Sequence, residues 1–322
     1  LSIIDSLSAG YRLLARRLEL ILIPVLLDLL LWFMPQLSVA PLFQRVAQFY
    51  AEAANLSELP GEMATMAHDV ATVLNEAGAS SNLFNLLFWI SGSLLHLPSL
   101  LYVVEPPRVS TPQEISALGS VLGLGALLVL AGIAVGVAYL TLLARGLPIG
   151  AGVKSWSWAE WPRLIVRRSL QIVAFLVLLV LALLVLFVPV SIGMTLLALL
   201  APGLTTLLAF VFGGLVLVLF FYLYFVPAGL ILDDLRLPRA VVQSFQLVRA
   251  NFWATVGLFL LTELISIGFS VILGRLVAFQ PLGTLTAIVV HAFIGSGLAL
   301  AFLIFYRTRL LLAQGEQVEL EL

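Results

Sequence analysis

The stretch from Ser169 to Leu200 reads SLQIVAFLVLLVLALLVLFVPVSIGMTLLALL, and after Ala201 and Pro202 a second run, 203–232, continues in the same character. Neither run holds a charged side chain. About 20 apolar residues at 1.5 Å each carry a helix across a hydrocarbon core of ~30 Å. A soluble helix shows one apolar stripe and a polar back, and these runs have no polar back. Residues 119–144, 252–279 and 283–306 are similar runs, and a shorter one, 18–34, follows a basic stretch as a first span does. The sequence therefore predicts an all-α, polytopic transmembrane helical bundle, one membrane domain over 1–322, with six spans set out as three hairpins.

Composition narrows the function. The chain is 62% hydrophobic and 10% charged, with net charge −1, so no global field draws it to nucleic acid, and membrane lipids are the expected partners. It has no cysteine, which removes disulfides, thiol nucleophiles, Fe–S ligation and cysteine-based zinc sites. Residues 18–34, preceded by Arg12, Arg16 and Arg17, have the outline of a signal peptide. Ser38-Val39-Ala40 is the only cleavage-like site, and the stretch reads as a retained first span.

Arginine sets the topology. Residues 82–104 (NLFNLLFWISGSLLHLPSLLYVV) form either a re-entrant or interface-lying hairpin or a seventh span. With six spans, Arg12, Arg16, Arg17, the loop of Arg145, Lys154, Arg163, Arg167 and Arg168, the loop of Arg236, Arg239 and Arg249, and the tail of Arg307 and Arg309 share one side. That is 13 of the 16 basic residues, with Arg45, Arg108 and Arg275 opposite. A seventh span would move the richest loop across. The asymmetry favours six spans with both termini cytoplasmic, in a plasma (inner) membrane. Residues 35–115 then form an extracytoplasmic helical insertion. Within it, 36–81 carries Glu52, Glu58, Glu62, Asp69 and Glu76, and Leu42, Val46, Phe49 and Met63, Met66, Val70, Val73, Leu74 recur at helical spacing. Two amphipathic helices are expected there, as a solvated cap or as a ligand lid. Asn55-Leu56-Ser57 is a glycosylation sequon on that side.

Three stretches share a plan: YRLLARRLELILIPVLL (11–27), WPRLIVRRSLQIVAFLVLL (161–179) and SFQLVRANFWATVGLFLL (244–261). Each is a short amphipathic segment, an arginine, then an apolar span. Arg16, Arg167 and Arg249 hold equivalent places and are candidate ligands for lipid headgroups, each ending an interfacial helix. Thr111-Pro112-Gln113-Glu114 and Ser157-Trp158-Ala159-Glu160 read as helix starts with capping boxes. Trp156, Trp158 and Trp161 mark an interface. Pro189 is expected to kink the third span, and Pro202-Gly203 to turn the chain.

The segment DDLRLPRAVVQSFQLVRANFWATVGLFLL (233–261) resembles the recurrent segment of bacterial six-span proteins related to the membrane domain of glycerophosphodiester phosphodiesterases. The shared features are the acidic pair Asp233-Asp234, the helix start Pro238-x-Ala240, Ser244, and Arg249-x-Asn251. In that family the phosphodiesterase chemistry belongs to a separate soluble domain, and nothing of that size is present in this sequence. The resemblance implies a membrane module without catalytic activity. The insertion at 35–115 departs from the family.

Few residues carry chemistry. There is no HExxH, no Walker A loop and no dinucleotide fingerprint, so no enzyme is expected. Gly295-Ser296-Gly297 lies within an apolar run and suits close helix approach. Asp28, Glu263 and His291 lie deep in spans, and Asp28 and Glu263 come near the midplane. A charge there costs about 2.5–3.5 kcal/mol, so both carboxyls are expected to face the bundle. They form either a proton or ion path or hydrogen-bonded packing groups. His291 follows Ala287 and His96 follows Gly92 by one turn. A small residue there leaves room for a flat macrocycle, so both are candidate axial ligands to a pigment or haem tetrapyrrole, with hydrogen-bonded packing as the other reading. His68 falls in the outer region and is expected to be solvated. No metal cluster is expected. Two functions follow: a non-catalytic scaffold or accessory subunit of a membrane complex, or a transporter of a small or lipid-like solute. Matched broken helices, which favour transporters, are missing.

Overall fold

The computed structural model describes residues 2–54, 61–104, 111–147 and 159–315. Almost all of them are helical. Helix α1 (Ile3–Arg16) leads through a 3-10 turn (Leu18–Ile21) into α2 (Leu22–Phe33). Then come α3 (Ala40–Ala54), α4 (Gly61–Ala79), α5 (Asn85–Leu95) and α6 (Leu100–Val103). The long helices are α7 (Leu118–Gly146), α8 (Trp161–Leu200), α9 (Pro202–Tyr222), α12 (Phe252–Leu276) and α13 (Leu282–Ala313). Two shorter ones, α10 (Val226–Leu232) and α11 (Leu237–Ala250), join α9 to α12.

Among the described residues, five helical stretches are long and apolar enough to cross a membrane: 118–146, 161–198, 203–232, 252–276 and 282–313. They make the chain a multi-pass membrane protein whose apolar faces meet lipid. The expected first span falls short of the others. Helix α2 has 12 residues, about 18 Å at 1.5 Å per residue, against a core of ~30 Å.

Residues 82–104 are not a single span. Helix α5 has 11 residues and ends where His96 turns left-handed (φ 53°). The chain resumes as α6 only at Leu100, after Ser99 caps the Tyr102 amide. The ends of the predicted insertion meet. Leu37–Ser38 (β1) pairs in parallel with Gln113–Glu114 (β2), and Ser81 Oγ accepts from the Val39 amide at 3.0 Å. This overturns the helix start expected at Thr111–Glu114. The Gln113 and Ile115 amides donate to the Gln36 and Ser38 carbonyls, so that backbone serves a strand and α7 begins at Leu118. Helices α3 and α4 pack on each other within the insertion. The sequon Asn55-Leu56-Ser57, Glu58, Arg108, Lys154, Trp156, Ser157 (the cap of the expected box at 157–160) and Trp158 lie outside the described residues.

Two of the three equivalent arginines stand at a helix end. Helix α1 ends at Arg16 and α11 just past Arg249, and both chains break next, at Arg17 (φ −137°) and Asn251 (φ −130°). At Arg167 there is no break. Helix α8 starts at Trp161 and runs on, with no glycine or proline near 167 to stop it, so no separate interfacial helix ends there. Pro189 lies inside the same helix. The turn at Pro202 is present, with Ala201 out of helical geometry (φ −152°, ψ 79°) and Pro202 in the first turn of α9.

Two compact units form. One comprises Leu1–Leu20, Gly136–Ile267 and Gly295–Leu322, and the other Ile21–Val135 and Gly268–Ile294. In the first, α13 is buried almost continuously from Leu298 to Tyr306. Phe225 stacks on Phe302 at 5.3 Å and Tyr224 meets Phe302 edge-on at 5.1 Å. Such pairs add about 0.5–1.5 kcal/mol each beyond burial. Helix α1 opens with a capping box, Ser2 with Asp5, whose bonds hold the Asp5 carboxyl below its usual pKa. It buries Leu7, Gly10, Leu13 and Leu14 and exposes Asp5, Ser8, Arg12 and Arg16. The second unit is centred on Trp32, Leu100, Leu273, Val277, Ala287 and Ile288.

Candidate functional site

Among the described residues the second unit contains one buried carboxylate, built from α2 outward. Asp28 is 1% exposed. Ser99 Oγ donates to its Oδ1 at 2.5 Å, and the Leu100 amide to its Oδ2 at 2.8 Å. The Leu100 amide is a helix-start donor with no partner inside α6, and Asp28 supplies its acceptor. Asp28 thus closes the α5–α6 turn. One helical turn on, Trp32 packs on Leu100 and Ala287.

Glu263 departs from expectation. It lies on the exposed face of α12 with Leu260, Leu264 and Ile267, not toward the bundle. Its helix is apolar on all sides, so residue type did not reveal which face packs.

The two candidate axial ligands, His96 and His291, both belong to the second unit. Ala287 is fully buried within the core around Trp32. A Cβ on Gly92 would meet the Leu97 carbonyl at 3.6 Å. His96 ends α5, its amide donating to the Ser91 carbonyl. His291 is 7% exposed, and its Nδ1 has no hydrogen-bond partner among the described residues. His68 lies on α4. No group of three or more His, Asp or Glu suited to a metal occurs among the described residues.

The densest polar cluster belongs to the first unit, and the sequence reading passed over its centre. Arg168 is fully buried. Its Nη1 donates to Thr141 Oγ1 at 3.0 Å, and its Nε lies 3.8 Å from Asp234 Oδ1. Arg167, half exposed, pairs with the same oxygen. Gln171, one turn further along α8, donates to the Leu235 carbonyl at 3.3 Å. Asp233 faces the other way. It accepts from Arg307 at 2.7 Å, from the Tyr306 hydroxyl at 2.5 Å and from Gln243 at 3.2 Å. Gln243 also donates to the Tyr306 oxygen at 2.7 Å. Two adjacent carboxylates thereby pin the α10–α11 turn to α8 on one side and α13 on the other.

The signal for Arg168 was present. Neighbours on a helix point about 100° apart, so Arg167 and Arg168 cannot both face lipid headgroups. Arg16 and Arg249 are exposed at their helix ends. Two of the residues quoted for the resemblance, Ser244 and Asn251, serve the backbone. Ser244 donates to the Tyr222 carbonyl at 2.8 Å and accepts from the Phe225 amide at 3.1 Å, where α9 gives way to α10. The Asn251 side chain donates to the Leu247 carbonyl at 3.1 Å and finishes α11.

Small residues let helices of this unit touch. A Cβ on Gly10 would stand 2.7 Å from the Gly297 carbonyl oxygen and 2.9 Å from the Ala301 nitrogen, and Gly297 itself faces the Tyr11 ring. Tyr139 donates to Ser296 at 3.0 Å. Burial pushes the Tyr11 hydroxyl pKa up to about 12. Gly295-Ser296-Gly297 is therefore a packing element, as expected. Comparison of the chain with family models, with curated proteins and with solved structures finds no match in any of the three.

Proposed function

We propose that this chain is a non-catalytic integral membrane scaffold or accessory subunit, kin to the six-span membrane modules it resembles. One observation carries the reading. The buried carboxylate Asp28 caps a turn, and Asp233 and Asp234 are taken up by arginines, a tyrosine and a glutamine. Groups committed in this way hold helices together and are not poised for acid–base chemistry or ion relay. The transporter reading rests on the same Asp28, a carboxyl deep in an apolar segment.

Asp28→Asn separates the two. The amide keeps an acceptor for Ser99 or Leu100 and needs no ionisation. As a scaffold, the tagged variant should leave a mild-detergent extract in the same stoichiometric complex as the parent, and proteoliposomes should show no Asp28-dependent proton movement. A parent chain that runs alone and drives proton uptake, lost in Asp28→Asn, would replace the scaffold with the transporter.

We read residues 18–34 as a sixth crossing, with both termini cytoplasmic and 35–115 outside. The absence of native cysteine makes labelling clean. Ser8→Cys and Gln314→Cys should react with an impermeant maleimide from one side, and Glu76→Cys from the other. Ser8→Cys and Gln314→Cys on opposite sides would mean an odd number of crossings.

A further inference from the structure

We propose that the start of α8 and the start of α11 together form one binding site for the headgroup of an anionic phospholipid. The inference rests on the membrane reading alone and is independent of whether the chain is a scaffold or a transporter.

Arg163 and Arg167 stand one turn apart on α8, and both are exposed. The pair between Arg167 and Asp234 draws that face to the turn before α11, where Arg236 and Arg239 are exposed as well. Arg168, beneath them, is buried and pairs inward with Thr141. Four exposed arginines thus lie on the two segments that this pair joins. The carboxylates nearest them in the chain are Glu160, Asp233 and Asp234, and of these Asp233 is already matched by Arg307 and Tyr306. Four positive charges against two leave an excess that suits an anionic phosphate group, and planar guanidinium groups grip phosphate through paired N–H donors.

The surroundings point to a lipid over free phosphate. Val166 and Leu170 on α8, and Val242 and Phe245 on α11, are exposed on these helices. Apolar side chains on the basic helices give acyl chains a surface and arginines a headgroup layer. This replaces three equivalent headgroup positions at Arg16, Arg167 and Arg249 with one cluster, in which Arg167 is already held by Asp234.

The test uses the full-length chain in detergent and counts bound lipid by native mass spectrometry. Three probes are titrated: phosphatidylglycerol, phosphatidylcholine and inorganic phosphate. Phosphatidylglycerol should bind preferentially. Each of Arg163→Gln, Arg236→Gln and Arg239→Gln should weaken it about fivefold, from roughly 1 kcal/mol per basic residue near an anionic surface. Arg12→Gln and Arg249→Gln, which change the same charge elsewhere, should leave it within about twofold of the parent on the same scale. Equal binding of phosphatidylcholine would overturn the site, as would equal losses in the two control variants. Inorganic phosphate binding as tightly as phosphatidylglycerol would mean a soluble-anion site and would also overturn it.

Discussion

Asp234→Gly should cost about 3 kcal/mol of stability, while Arg167→Gln, which removes the shorter partner of the same carboxylate, should cost about 1 kcal/mol or less. The difference lies in burial. Arg167 is 53% exposed and water can solvate it when its partner goes. Arg168 is fully buried, and Asp234 is the carboxylate that faces it. Removing one partner of a buried pair strands the other, which is the costly operation. Glycine isolates the charge term, because Asp234 sits at φ 51°, a left-handed conformation that alanine would resist. Asp234→Asn tolerates that backbone and keeps an acceptor, so it should fall between the two. Adding Arg168→Met to Asp234→Gly should recover most of the loss, since an apolar side chain replaces the stranded charge. Thermal melting in one detergent would read the series. The account of the cluster fails if Arg167→Gln is as damaging as Asp234→Gly, or if the double variant is worse than the single.

Gly10→Ala should be the most damaging single-methyl insertion in α1, at about 3 kcal/mol, the upper part of the overpacking range. The new Cβ would press on backbone atoms, the Gly297 carbonyl and the Ala301 nitrogen, which cannot swing away as a side-chain tip can. To relieve the contact α1 must lift from α13, exposing Leu7, Leu13 and Leu14. Trypsin should then cut faster after Arg12, Arg16 and Arg17. Gly123→Ala is the control. Nothing lies within 4 Å of its added Cβ, and alanine is the better helix former, so that change should be neutral or slightly stabilising. Matching melting temperatures for the two variants would show that α1 and α13 do not approach this closely.

The sequence was most legible where one physical demand acts on every residue of a stretch. Runs such as 169–200 must satisfy all backbone donors internally and present apolar atoms all round, so composition alone marks them as membrane helices. Turns with strong local chemistry were also readable, such as Pro202 at the start of α9. Asp28 needed only the cost of burying a carboxyl to be singled out, although its partners, Ser99 and Leu100, are 71 and 72 residues away.

Tertiary structure decided the rest. Thr111–Glu114 carries the residues of a helix start, yet a strand partner at Leu37–Ser38 claims its backbone. Local preference yields when a distant segment supplies hydrogen bonds. Glu263 and Asp28 look alike in sequence, and only packing separates the exposed one from the buried one. Arg167 and Arg168 are neighbours of one type, and the position of Asp234, 67 residues from Arg167, makes one a surface partner and the other a buried anchor. In an evenly apolar helix the hydrophobic pattern carries no phase. By itself, the sequence determined that these helices live in a bilayer. Which face of each meets protein, and so which charges are buried, was set only when the helices packed.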